Sequence, residues 1–393
     1  MFHWDKANLK QLALWVLIQL FMCTPDAVGQ PSPEVVDDFI MEYIRDNHVP
    51  GMACCIIKDG EMVWSGAYGY GNIGKNIPME IDGIMNIASI SKTFTAVAAM
   101  QLWEKGLISL DTDINDYLPV SIRNPNHPEI PITVFQILTH TSSITDSDIY
   151  GESYAIGDPA ISLKEWIVNY LTPEGRFYNA EDNFNPLKPG AHNEYSNVAF
   201  GLLGYLIEEI SEMAFNEFCR KNILSPLGMD RSGWFIHEID TSNHITPYSY
   251  IWDVALLKDY PKQNLRSVSD NCALSLYSFP NYPDGLLRTS VRELSKFLIA
   301  IINKGTYNDA RILKASTIDK MLSLQLENNH TQGLCWENKP SLSLWGHSGG
   351  DPGVATHMFF NPETGIGIIT FQNNNQGDSF NVLRKLYAVA NDL

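Results

Sequence analysis

The sequence predicts an α/β fold of the α+β kind, an antiparallel sheet flanked by helices with an all-helical subdomain inserted into it. Three observations carry this. Two apolar runs near the start, Met52–Ile57 and Glu61–Ser65, are joined by Lys58-Asp59-Gly60, and Asp-Gly between such runs is a strong hairpin signal. A long middle stretch, about Thr133 to Asp270, holds helical patterns separated by loops rich in Pro, Asn and Gly. Strand-like runs then resume after Trp336, at Leu342–Trp345, Val354–Phe360 and Ile366–Gln372, before a closing helix over Phe380–Asn391.

In chain order, residues 1–29 begin polar with Lys6 and Lys10, turn apolar from Leu12 to Met22 and end in the small residues Ala27 and Gly29. This pattern reads as a signal peptide cleaved before Gln30, because the apolar run is too short to span a bilayer comfortably. The protein is then secreted or periplasmic, with a membrane partner only if that segment stays uncleaved. Residues 30–393 read as one domain, its sheet part at about 30–85 and 285–393 and its inserted helical part at about 86–284.

Pro33–Asn47 carries Val36, Phe39, Ile40, Tyr43 and Ile44 on one helical face and acids on the other, so it is an amphipathic helix that packs. After the hairpin, Gly69-Tyr70-Gly71-Asn72-Ile73-Gly74 matches G-x-G-x-x-G. Pro78 and polar residues follow where a dinucleotide site needs a helix N-terminus, so the match is a decoy. Further helices are expected at Thr133–Leu138, Leu163–Leu171 and Ser196–Ile210.

Composition narrows the function. With 393 residues, 45% of them hydrophobic, the chain can bury a large core, and a formal charge of −18 argues against a nucleic-acid partner. Beyond residue 29 the cysteines are Cys54, Cys55, Cys219, Cys272 and Cys335, an odd number that does not suggest a disulfide framework. Cys54 and Cys55 are neighbours on a strand, hence on opposite faces, and serve as small apolar residues. Scattered histidines without C-x-x-C or H-E-x-x-H point to no metal site.

The chemistry centres on Ala88-Ser89-Ile90-Ser91-Lys92. Apolar residues Phe94, Val97, Ala98 and Leu102 follow at helical spacing, so Ser89 opens a helix with Lys92 one turn later on the same face. A lysine held in a dry site and depressed in pKa can help a serine lose its proton. Alone, S-x-x-K is a common accident, equally read as a capping serine and an exposed lysine. A second station is Tyr195-Ser196-Asn197. Tyr195, a phenolate favoured by a nearby ammonium, is a candidate base or relay, and Asn197 can orient a substrate carbonyl and Lys92. The plainer alternative for the pair is an aromatic plug beside a helix cap.

A third station is Trp345-Gly346-His347-Ser348-Gly349-Gly350. Its G-x-S-x-G match would make Ser348 a nucleophile, but a strand follows where that elbow needs a helix. The stretch reads as an edge strand lining a cleft, with His347 facing substrate and Gly349 and Gly350 letting a substrate backbone approach.

Taken together, Ser89-Ile90-Ser91-Lys92, Tyr195-Ser196-Asn197 and His347-Ser348-Gly349 resemble the motifs of the serine β-lactamase and DD-peptidase superfamily. The resemblance is to the branch of class C β-lactamases, D-alanyl-D-alanine carboxypeptidases, D-aminopeptidases and esterases, and runs from about residue 34 to the end. Val49-Pro50-Gly51-Met52, Ile137–Ser142, Leu224–Met229 and Gly285–Ser290 are also similar to recurring segments of that family. It implies the β-lactamase/transpeptidase-like fold and a serine hydrolase that needs no cofactor. Ser89, Lys92 and Tyr195 would be catalytic, with Asn197, His347, Gly349 and Gly350 binding a small-molecule or peptide substrate. Oxyanion donors would be the backbone N–H groups of Ser89 and Gly350. Two departures stand out: Ser143 where the family commonly has Gly, and His347 where its β-lactamases usually carry Lys. The second shifts the expectation from an efficient β-lactamase towards a peptidase or esterase. The expected reaction is cleavage of an amide or ester bond, with a β-lactamase and a non-catalytic penicillin-binding or scaffold protein as alternatives.

Overall fold

A computed structural model describes residues 33–250, 266–268 and 270–393; the leader expected at residues 1–29 lies outside them. The first helix, α1 (Pro33–Asp46), feeds the hairpin of β1 (Gly51–Lys58) and β2 (Glu61–Asn72), followed by the short β3 (Ile77–Pro78). The central helix α2 (Ser91–Glu104) comes next, then α3 (Leu163–Leu171), α4 (Asn197–Ser211) and α5 (Val291–Ile302). Strands β4 (Glu337–Lys339), β5 (Leu344–Asp351), β6 (Val354–Phe360) and β7 (Gly367–Gln372) lead to α6 (Phe380–Ala390).

One seven-stranded sheet, ordered β4-β5-β6-β7-β1-β2-β3, is antiparallel throughout. Strand β1 is buried because helices cover both faces: Cys55 and Ile57 join the core shared with α2 and α5, while Cys54 and Ile56 join α1 and α6. The adjacent cysteines therefore do face opposite ways, and all five described cysteines are buried and free. Helix α2 is buried from Ser91 to Leu102, as a helix must be when it lies between a sheet and a helical layer. Its alanines, Ala96, Ala98 and Ala99, keep that central position slim.

Expected helices stand close to their predicted bounds. Thr133 caps Val134–Leu138 with a complete capping box, and Ser196 caps α4 through the Ala199 N–H. Four details differ. The inserted segment also holds short strand pairings, Tyr248–Tyr250 and Arg266–Val268 against Asn271–Ala273, so it is not all helix. Helix α5 was not anticipated from its apolar spacing, although its Ser290-to-Glu293 capping signal stands in the sequence. Strand β5 starts at Leu344 because Ser343 adopts a left-handed φ of 53° and breaks the extended run. It is not the edge of the sheet, since β4 lies outside it; β4 pairs only with Leu344–Gly346, which leaves His347 to Gly350 unpaired on that side.

Candidate active site

The Ser89 turn is built before the helix, not in it. Ser89 sits in a single 3₁₀ turn, Ala88–Ile90, and α2 begins at Ser91. Ala88 holds a φ of 46°, a left-handed conformation that costs a non-glycine residue energy and is kept only when surroundings enforce it. Two contacts enforce it here: Asn86 Oδ1 accepts from the Ala88 N–H at 2.8 Å, and Thr356 Oγ1 on β6 donates to the Ile87 carbonyl at 2.9 Å.

Strand β5 lies hard against this turn. A Cβ on Gly349 would stand 2.4 Å from the Ile87 carbonyl oxygen and 2.4 Å from Thr356 Oγ1, so glycine is required for the strand to dock. Gly349 is therefore required by the packing of β5 on the Ser89 turn, and it also borders the cleft. Gly350 does face open space, with nothing within 4 Å of such a Cβ. Asp351, at the end of β5, ties strand to turn by accepting from Asn86 Nδ2 at 2.9 Å, and Tyr154 donates to its other oxygen at 2.9 Å.

Lys92 is fully buried among polar neighbours. It donates to Ser89 Oγ (3.0 Å), Asn197 Oδ1 (2.6 Å) and the Asp284 carbonyl (2.9 Å), and lies 3.5 Å from Asp284 Oδ2. The Asn197 amide is oriented by Asp146, whose Oδ2 accepts from Asn197 Nδ2 at 2.8 Å. Asp146 also accepts from the backbone N–H groups of Asn197 and Val198, both at 2.9 Å, a carboxylate set on the first turn of α4 where the helix dipole favours it. Tyr195 exposes 47% of its surface, yet its hydroxyl hydrogen-bonds with both Lys92 and Ser89. Its ring stacks on His140 at 4.4 Å, and His140 Nδ1 in turn accepts from the Ser196 N–H.

The electrostatics correct two expectations. Burial opposes the Lys92 ammonium, but Tyr195, Asp284 and Asp146 together outweigh it and hold the amine above its ordinary pKa. Burial also raises the Tyr195 phenol, more than Lys92 lowers it. The resting pair is thus an ammonium beside a neutral phenol, not a depressed amine beside a phenolate. His347 is buried, with its Nδ1 2.6 Å from the Ser348 carbonyl oxygen. A carbonyl can only accept, so Nδ1 carries the proton and Nε2 is left as an acceptor. Burial, then Lys92, lowers His347 to about 4, and it is neutral at pH 7.

The fold brings Ser89, Tyr195, His347, Gly349 and Gly350 to one cleft, with Asn193, Asn329 and Gln332 on its far wall. Lys92 and Asn197 lie just beneath. Ser348 also borders this cleft, but its hydroxyl is bonded to His357 Nδ1 at 2.9 Å, on the face of β5 opposite His347. Ser143 has a left-handed φ of 64°, which accounts physically for a position that favours glycine. Sequence reasoning missed Asn86, Asp146, Tyr150, Tyr154, Asp284 and Asp351. Asn86 and Asp351 adjoin the Ser89 and His347 motifs, while the other four lie in stretches with no motif spacing.

A family model described as Beta-lactamase matches residues 36–392. Protein flp of Staphylococcus aureus (strain N315) is 24% identical over 345 residues, covering 88% of this chain and 64% of its own, so the chain spans under two thirds of that relative's length. Among solved structures, the octameric penicillin-binding protein homologue from Pyrococcus abyssi has a TM-score of 0.69 and 27% identity, covering 91% of this chain and 77% of the other. The D-amino acid amidase from Ochrobactrum anthropi SV3 has a TM-score of 0.68 and 23% identity, covering 91% and 96%, a likeness of fold. On the family match, which runs almost from α1 to the end of α6, this chain belongs to the beta-lactamase family.

Proposed function

We propose that the protein is a serine hydrolase that forms an acyl-enzyme on Ser89 and cleaves an amide or ester bond. The observation that carries this is the 3.0 Å contact from buried Lys92 Nζ to Ser89 Oγ, completed by the Tyr195 hydroxyl and the Asn197 amide. Ser89 attacks the substrate carbonyl, its proton entering the Lys92–Tyr195 array, and water later releases the acyl group. Backbone N–H groups of Ser89 and Gly350 stabilise the oxyanion, worth about 3 kcal/mol each in comparable sites. His347 offers substrate an acceptor and no positive charge, which favours uncharged amides and esters over substrates with a free carboxylate, such as β-lactams. Secretion or periplasmic export by residues 1–29, and the reading of residues 30–393 as one hydrolase domain, belong to this proposal.

The test is covalent labelling. A fluorophosphonate probe is expected to modify Ser89, as found by peptide mapping, and Ser89→Ala to abolish labelling. An adduct on Ser348, or labelling undiminished in Ser89→Ala, sinks the assignment, and an unreactive wild type supports a non-catalytic binding protein.

A further inference from the structure

We propose that Asp284 is a positioning residue of the same reaction, which, acting through Lys92, takes up the proton that Ser89 gives up on attack. The inference rests on the acyl-enzyme reading above.

It follows from counting protons. An ammonium has three N–H bonds and no lone pair. Around Lys92 Nζ stand Asn197 Oδ1, the Asp284 carbonyl, Ser89 Oγ and Asp284 Oδ2, at 2.6, 2.9, 3.0 and 3.5 Å, and the Tyr195 hydroxyl. All can occupy its protons, and none leaves it free to accept one. Lys92 can therefore receive the Ser89 proton only by handing one of its own to a neighbour. The Asn197 amide oxygen and a backbone carbonyl cannot hold a proton near neutral pH, and the neutral Tyr195 phenol has none of the basicity of its anion. A carboxylate can, and Asp284 Oδ2 is there.

The site of Asp284 is built to keep it in place. Its side chain is 2% exposed, Tyr150 donates to Oδ2 at 2.8 Å and Asn281 Nδ2 donates to Oδ1 at 3.0 Å. The ionisable groups that face it are Lys92 on α2, Tyr195 before α4, Asp146, Tyr150 and Tyr154 on the segment covering the site, and Asp351 at the end of β5. Burial dominates and, with Asp146, raises Asp284 to about 6, while Lys92, Tyr150 and Asn281 resist. That places a base close to the working pH, where proton transfer is most effective.

The step balances. As Ser89 Oγ bonds to the carbonyl carbon, its O–H bond breaks and the proton goes to Lys92 Nζ, while one Nζ proton moves to Asp284 Oδ2. Lys92 remains an ammonium, Asp284 becomes a neutral acid, and the negative charge rests on the tetrahedral oxygen. On collapse the proton returns by the same route to the leaving group.

The experiment measures the second-order rate of fluorophosphonate labelling from pH 5 to 9 in wild type, Asp284→Asn, Tyr150→Phe and Ser89→Ala. The leaving fluoride needs no proton, so the profile reports attack. Wild type is expected to lose rate below about pH 6, one proton per step. Asp284→Asn should slow labelling by about 10²-fold at pH 7.5 and lose that limb. Tyr150→Phe removes a donor to the carboxylate and should move the limb to higher pH, which keeps the question open to test if Asp284→Asn does not fold. A limb that persists in Asp284→Asn, or stays put in Tyr150→Phe, overturns the inference. Labelling undiminished in Ser89→Ala would instead overturn the acyl-enzyme reading itself.

Discussion

At the residue scale, His347 shows how far position outweighs residue type. A histidine free in water titrates near pH 6.5, but here burial and the Lys92 charge hold it to about 4, so it stays neutral from pH 5.5 to 8.5. It cannot act as a switchable anchor for a substrate carboxylate over that range. The expected outcome is that the ratio of kcat/KM for an uncharged ester to that for a β-lactam shows no inflection near pH 6.5 in wild type. His347→Lys should shift the ratio towards the β-lactam, because a permanent charge would face the cleft. Steady-state kinetics of both substrates across that range check this. A wild-type inflection near 6.5 that vanishes in His347→Lys would restore the pH-switch reading.

At the element scale, the candidate site depends on the docking of β5 against the Ser89 turn, and two adjacent glycines on that strand play different parts. Gly349 has backbone and Thr356 Oγ1 where a methyl group would go, and β5 cannot shift without dragging its seven-residue register with β6. Gly349→Ala is expected to destabilise by about 1–3 kcal/mol, as overpacking typically does, and to lower labelling of Ser89. Gly350 points into open space, so Gly350→Ala should leave the melting temperature within a degree. Thermal melts of the two variants side by side decide it; equal losses would show that β5 can yield. Both glycines are legible from sequence as part of one motif. That one is packed and the other open follows from the alternation of the strand, which sequence spacing alone does not orient.

At the scale of the whole molecule, the carboxyl–phenol network under the cleft trades stability for a built site. Asp351 is raised to about 7, burial outweighing its donors Tyr154, Tyr277 and Asn86. A carboxyl whose folded pKa lies above its unfolded value stabilises most below the unfolded pKa, near 3.9, and that contribution is lost as pH rises towards 7. Asp351→Asn removes this dependence. Its melting temperature relative to wild type should therefore move upward between pH 5 and pH 8, as scanning calorimetry at both pH values would record. A constant difference would mean that Asp351 does not titrate in the fold. The same comparison separates what the chain's order of residues determined from what folding decided. Local pattern was enough for the hairpin and for α1, α4 and α6, because helical and strand periods and helix caps act over a few residues, whereas Ser89, Lys92, Tyr195, Asn197 and His347 were singled out by the resemblance of their motifs to a family. Protonation was not legible, since the charge on Lys92 depends on Tyr195, Asp284 and Asp146, which lie 103, 192 and 54 residues away in the chain. Only tertiary structure sets those groups within a few ångströms in a place without water, and there a neighbour's charge, not the residue's own chemistry, decides which atom holds the proton.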